Sequence, residues 1–250
     1  MEGKRVLKEL QKFLLFVFVL AVVIAGSVLT SQFGPKSVVY EDSAFDYEVE
    51  PVAGFTNWSN NQEIVLDQHS HTTYSDGVLS VEQNVLWHIN HHFNAMVLTD
   101  HDTLKNQDDL KAMKEKYKDE IVIIQGIEWT TYRIHMNILG ISEWNLEIPN
   151  EPTDQDIKDA IVEADRQNAV VTVNHIPWSL RQGMDHPSRQ ELLDWGVDYI
   201  EISNAGEWDP DSEEWINRTE GFGAIAGTDM HSPGSVHEWT GLNATAFTEE

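Results

Sequence analysis

The sequence predicts an α/β domain on a mostly parallel sheet, preceded by one N-terminal transmembrane helix. Three observations carry this. From Ile64 onward, short apolar runs alternate with polar amphipathic segments, the signature of strand–helix units. Seven runs read as strands, too many for one layer of a small sandwich but suited to a barrel or an open doubly wound sheet. Ahead of them, the stretch from Phe13 to Thr30 carries no charge.

That stretch has 18 residues, which as a helix rise about 27 Å, close to the hydrocarbon thickness of a bilayer. Lys4, Arg5, Lys8 and Lys12 precede it, and a basic flank stays on the cytoplasmic side. Residues 1–34 are therefore expected to form a membrane anchor or signal segment. The run exceeds a typical signal core, which favours an uncleaved anchor over cleavage near Val23-Ile24-Ala25. The rest is expected outside the cytoplasmic membrane, as a single-pass cell-membrane protein, or as a secreted one if the segment is cut. N-glycosylation patterns at Asn57, Asn217 and Asn243 lean the same way.

Residues 35–62 lack periodicity and contain Gly34-Pro35 at their border, so they read as an irregular stalk or lead-in. The domain proper is expected over 63–250. Its predicted strands are 64–68, 95–99, 121–125, 135–139, 169–173, 198–202 and 222–226. Its predicted helices are 80–91, 106–118, 153–167, 188–195 and 212–218. Ser80 with Gln83 and Thr153 before Asp154 and Asp156 are helix-start signals.

Composition narrows the function. Sixteen basic against 42 acidic residues give a net charge of −26, so long nucleic acids are not expected as partners. There are no cysteines, which excludes disulfides, thiolate zinc sites and a cysteine nucleophile.

The acids and histidines fall at strand ends. His69 and His71 follow the first strand one residue apart, so both imidazoles can face one ion. Asp76 lies in the turn Ser75-Asp76-Gly77, and His101 just past the second strand in Thr99-Asp100-His101. Glu128 ends the third strand, His135 opens the fourth and His175 ends the fifth. Asp229 and His231 close the seventh, again one residue apart. Parallel strands put their carboxyl ends on one sheet edge, where α/β proteins build sites. Six histidines and three carboxylates exceed the needs of one ion. They suit two or three divalent ions, and imidazole with carboxylate favours zinc, manganese or iron over calcium or magnesium.

This order of motifs, His69-Ser70-His71-Thr72, Ser75-Asp76-Gly77, Thr99-Asp100-His101, Glu128, His135, His175 and Asp229-Met230-His231, resembles the polymerase and histidinol phosphatase (PHP) family over about residues 64–235. The resemblance implies a distorted (β/α)7 barrel with a trinuclear metal site at its carboxyl-end rim. By position it implies one ion on His69, His71, Glu128 and Asp229. Glu128 would bridge to a second ion on His135 and His175, and Asp76, His101 and His231 would hold a third. Gln68 departs from the pattern, standing where an apolar residue commonly precedes the first ligand. His175 departs too, being followed by Ile176 before Pro177. Only 19 residues follow His231, so no partner domain is expected there.

Clustered dications activate a bound water, neutralise phosphate oxygens and stabilise a leaving oxygen. The expected activity is hydrolysis of a phosphate monoester or diester, small or surface-attached, by in-line attack without a covalent enzyme intermediate. Glu128 and Asp229 are the central candidates. Arg133 and Arg181 are candidates to fork onto the phosphate, with a surface salt bridge as the alternative. Asp100, Asp102 and Asn174 flank ligands and suit either orientation of imidazoles or capping. Glu201 and Asn204 end the sixth strand and are expected near the pocket. Trp129, Trp178, Trp208 and Trp239 suit pocket walls or ordinary packing. His88, His91 and His92 are expected on an exposed helix face, and His186 and His237 in loops. The competing functions are an amidohydrolase-type metallohydrolase and an exported, non-catalytic metal-binding module.

Overall fold

The computed structural model describes residues 2–33, 39–45, 63–234 and 238–243. The chain divides into two units, Met1–Val38 and Val39–Glu250. The first contains the helix α1 (Glu2–Phe33), which no proline interrupts. Its stretch Val6–Ser27 has a mean hydropathy of 2.2 and is long and apolar enough to cross a membrane; a signal sequence near the N-terminus meets the same test.

The second unit is a mixed α/β domain around a curled sheet. Its strands are β1 (Glu63–Asp67), β2 (Ala95–Leu98), β3 (Val122–Thr130), β4 (His135–Leu139), β5 (Val170–Val173), β6 (Tyr199–Asn204), β7 (Glu207–Trp208), β8 (Gly223–Gly227) and β9 (Thr240–Asn243). Hydrogen bonding runs in the order β7-β6-β5-β4-β3-β2-β1-β9, with β8 also on β6. All seven expected strands are present. The expected mostly parallel sheet is corrected: β1–β2, β2–β3, β5–β6 and β6–β8 are parallel, whereas β3–β4, β4–β5, β6–β7 and β1–β9 are antiparallel.

The reversal of β4 matters most. Thr131 Oγ1 accepts from the backbone N–H groups of Arg133 and Ile134, closing a tight β3–β4 turn that leaves no room for a crossover helix. Because β4 runs backwards, its first residue, His135, sits at the edge where β3 and β5 end. The two unforeseen strands are short. β7 follows a two-residue turn, Ala205-Gly206, with both φ positive (46° and 84°), the geometry of a tight hairpin.

Helices α2 (Val81–Asn90), α3 (Gln107–Lys116), α4 (Asp154–Arg166), α6 (Arg189–Trp195) and α7 (Pro210–Ile216) occupy the expected places. Reciprocal capping boxes, Ser80 with Gln83, Thr153 with Asp156 and Ser188 with Glu191, start α2, α4 and α6. A short helix, α5 (Ile176–Arg181), was not expected; Pro177 lies in its first turn, where a missing N–H costs nothing.

Within the expected lead-in, the described residues Asp42–Phe45 form a 3-10 turn and Phe45 is buried in the core beside α2. The Gln83 side chain donates to Tyr40 O at 2.7 Å. The remainder of 46–62 lies outside the described residues.

Alternation along β1 explains the layering. Val65 packs toward α2 and α3, while Ile64 and Leu66 join Ala95, Val97 and Leu139 on the other face. Above that apolar layer the buried side chains become polar: Gln68, Asn137, Thr172, Asn174 and Glu201. Gln68 bonds to Glu201, Asn137 and Thr172 at 2.7, 3.0 and 3.1 Å, which accounts for a polar residue at this position.

Candidate metal centre

All nine expected ligands meet above this polar layer. Four overlapping groups have donor atoms within 4.8 Å of one another: His71, Asp76, His101 and His231; His69, His71 and Glu128; His69, His175 and Asp229; Glu128, His135 and His175. The nine side chains thus lie together, and His71 approaches Asp76, His101 and His231 as well as His69 and Glu128.

Local backbone geometry places each group. The chain after β1 is locked to the chain after β8 by the Ser70–Met230 bridge and by His71 N donating to Met230 O at 2.9 Å. Gly77 lets the next turn fold back: a Cβ there would lie 2.6 Å from the His71 carbonyl carbon, so the motif needs glycine to hold Asp76 over His71. Gly227 is equally constrained, since a Cβ would come within 2.6 Å of His69 Cβ and 2.5 Å of Glu201 Oε1. His175 (φ 29°) and Asp229 (φ 52°) are ligand candidates in the left-handed region, a cost that surrounding contacts must hold in place.

Glu128 is the hub. Its Oε2 lies 3.3 Å from both His69 Nε2 and His71 Nε2 and 3.0 Å from His101 Nδ1; its Oε1 lies 3.2 Å from His135 Nδ1 and 3.3 Å from His175 Nε2. Asp229 Oδ1 lies 3.3 Å from His69 Nε2 and 3.2 Å from His71 Nε2. Asp76 reaches His231 Nε2 at 3.2 Å and His101 Nε2 at 3.5 Å.

These residues fit divalent ions on their own evidence. His69 Nε2, both nitrogens of His71, Glu128 Oε2 and His175 Nδ1 are buried without a hydrogen-bond partner. Buried polar atoms are normally satisfied, so such a concentration points to atoms prepared for another occupant.

Electrostatics agree. Burial opposes protonation of His69, but Asp229, Glu201 and Glu128 outweigh it and hold its pKa well above the usual value. His175 is raised too, its burial outweighed chiefly by Glu128. Burial opposes ionisation of Glu128 and Asp229, yet His69 and its neighbours hold both well below the ordinary carboxylate range. The carboxylates of the cluster thus favour positive charge among the imidazoles, whether as protons or as bound cations.

Outer contacts orient the imidazoles. Glu201, fully buried, faces His69 Nδ1 at 3.1 Å and accepts the His175 N–H at 3.1 Å. Asn174 donates to Glu128 Oε1 at 3.0 Å, and Thr130 Oγ1 lies 2.6 Å from His101 Nδ1. Asp100 accepts from Thr72, Ser75 and Asn106, fixing the turn that carries Asp76. Asp102 accepts from Thr130 N, and burial pushes its pKa up to about 7.

Asp67 was missed, although an acid ending an apolar strand must find partners if buried. It accepts from His69 N at 3.1 Å, from Thr228 N at 2.9 Å and from the Thr228 hydroxyl, and faces His88 Nε2 at 3.0 Å. Asp67 thereby ties together the chain at His69 and the chain just before Asp229. His88, expected on an exposed face, is instead fully buried. Asp67→Asn should lower unfolding free energy by about 3 kcal/mol and weaken metal binding about tenfold. Urea unfolding and metal titration would check both; unchanged metal affinity would reduce Asp67 to a role in the fold.

The arginines take the salt-bridge alternative. Arg133 pairs with Asp154 at 2.7 Å and donates to Asp185 O at 2.8 Å, and Arg181 forks onto Glu207. Neither lines the cavity over the cluster, although Glu207 does. Trp129 is buried core and Trp208 is exposed, while Trp178 forms cavity wall. Burial lowers the His186 pKa to about 4, and His186 Nδ1 lies 2.8 Å from Pro187 O. His237 lies outside the described residues.

The cavity holds about 420 Å³, lined by seven of the nine groups together with Trp178, Asn204, Ala205 and Glu207. No lysine or arginine is among its lining residues within the described part of the chain.

No protein-family model and no curated protein matches this sequence. Solved structures do. A two-domain protein from Bacteroides vulgatus containing a predicted PHP-like metal-dependent phosphoesterase aligns with a TM-score of 0.58 and 24% identity, covering 74% of this chain and 56% of that one. The chain therefore spans little more than half of that protein. A Bifidobacterium adolescentis protein assigned as a metal-dependent phosphoesterase aligns at TM-score 0.53 and 14% identity, over 76% of this chain and 92% of that one. An amidohydrolase from Chromobacterium violaceum, solved with bound sulfate and no metal, aligns at 0.51 and 14%, over 73% and 93%. At these identities the likeness shows architecture, and this chain has the fold of the PHP-like metal-dependent phosphoesterases.

Proposed function

We propose that this chain is a PHP-type phosphoesterase that hydrolyses a phosphate monoester or diester with two or three divalent ions, zinc, manganese or iron. The observation that carries the proposal is the convergence of nine imidazole and carboxylate groups with partnerless buried atoms among them. Ions bound there would activate water and neutralise the phosphate. Glu128 spans the inner groups, and its charge balances the imidazoles that surround it. His69 and His71 are sealed from solvent, whereas Asp76, His101 and His231 are partly exposed. Substrate therefore approaches from the side of Asp76, His101 and His231.

Two further elements belong to the same proposal. With α1 as an anchor and its basic end cytoplasmic, the domain over 63–250 works outside the cytoplasmic membrane. Among the described residues no lysine or arginine lines the cavity, which suits small or surface-attached esters better than polymers.

The amidohydrolase reading is supported by the name of one structural neighbour. Amidohydrolase barrels usually carry a metal-bridging lysine, and no lysine lines this cavity. A substrate panel separates the readings. Manganese- or zinc-loaded protein should hydrolyse p-nitrophenyl phosphate or bis-p-nitrophenyl phosphate and leave amide substrates intact. Amide hydrolysis alone would favour the amidohydrolase, and inertness toward every ester would favour a metal-binding module.

A further inference from the structure

The geometry points to Trp178 as the surface on which the organic part of the substrate stacks, so that the esters preferred here carry a flat aromatic or heteroaromatic group beside a single phosphate. This rests on the phosphoesterase reading and specifies what is joined to the ester oxygen.

Apart from the metal-ligand candidates, the described residues that line the cavity are Trp178, Asn204, Ala205 and Glu207. Trp178 is the one large apolar side chain among them, and it remains 36% exposed. Its ring is flanked by two imidazoles: the His135 ring centroid lies 5.4 Å away, tilted at 55°, and that of His175 lies 5.0 Å away at 74°, edge-on. A tryptophan fixed between two imidazoles and one helical turn is a preorganised platform, so stacking on it costs little conformational entropy.

The rest of the wall defines what the ring's neighbourhood rejects. Glu207 is neutralised by Arg181, which sits three residues after Trp178 on α5 and thus on the same helix face. The Asn204 amide is committed to Glu201 at 2.8 Å. Among the described lining residues no lysine or arginine is left to receive a second phosphate, since Arg181 is engaged by Glu207. A planar, singly phosphorylated ester is what metal ions on one side and an indole on the other would hold.

Non-hydrolysable phosphonates test this without relying on turnover. Calorimetry on manganese-loaded protein should find phenylphosphonate binding about tenfold tighter than methylphosphonate. Trp178→Ala should bring the two affinities within about twofold while manganese content and methylphosphonate affinity stay unchanged. Trp178→Leu, which still covers His135 and His175, should also lose the preference, whereas Trp178→Phe should keep most of it. Equal affinities in the wild type, or a preference that survives Trp178→Leu, would overturn the inference alone. Binding of neither phosphonate to metal-loaded protein would overturn the phosphoesterase reading, and this inference with it.

Discussion

Glu128→Gln is expected to release at least one equivalent of metal and to cut phosphatase activity by about three orders of magnitude. The two carboxylate oxygens of Glu128 face five imidazoles at 3.0 to 3.3 Å, three on Oε2 and two on Oε1. Glutamine preserves the volume but removes the charge and turns one oxygen into a donor. Its amide would point N–H groups at atoms that must either accept or bind a cation. The position is 1% exposed, so water cannot replace the lost acceptor. Elemental analysis and p-nitrophenyl phosphate turnover on the same preparation would measure both effects, with near-UV dichroism as the control for folding. Full metal content with unchanged turnover would remove Glu128 from the centre.

Removing the metal should lower the thermal midpoint by about 10 °C. A single ion held at a thousand times its Kd stabilises by about 4 kcal/mol, and each kcal/mol moves the midpoint of a domain this size by about 2–4 °C. The size of the gap should depend on pH, and its sign follows from the cluster. In the metal-free chain the raised pKa values of His69 and His175 add stability that is complete below the unfolded histidine value, about 6.5, and is lost as pH rises through their folded values. The depressed carboxylates Glu128 and Asp229 add stability present above the unfolded carboxylate value and lost as pH falls. Between pH 6 and 8 the carboxylate contribution stays constant while the histidine contribution of the metal-free form declines. The loaded form loses nothing comparable, because cations have replaced those protons. Calorimetry with and without chelator should therefore show a wider gap at pH 8 than at pH 6. An equal or narrower gap would contradict the proton-for-metal exchange.

The convergence of the nine side chains was legible in the sequence because metal chemistry leaves local marks. His69-x-His71 and Asp229-x-His231 each place two donors on one side of an extended segment, and Gly77 and Gly227 mark close backbone approach. The direction of β4 was not legible. A five-residue strand such as His135–Leu139 reads the same whichever way it is threaded, and only the tight turn at Thr131–Ile134 shows that His135 reaches the rim from its strand's beginning. His88 illustrates a second limit. Its position in a polar-looking helix, beside His91 and His92, suggested solvent, yet burial is decided by the distant Asp67. The salt bridges of Arg133 and Arg181 have a similar cause: in a chain with 42 acids, a nearby carboxylate claims almost any guanidinium. The two-residue β7 is too short for periodicity, and α5 is too short to show a repeat.

Anomalous diffraction from crystals of the manganese- or zinc-loaded domain tests the central claim most directly. Two or three peaks bonded to His69, His71, Asp76, His101, Glu128, His135, His175, Asp229 and His231, with Glu128 touching more than one, is the predicted result. A loaded crystal with no peak among these side chains, or with its metal bound elsewhere, would contradict it.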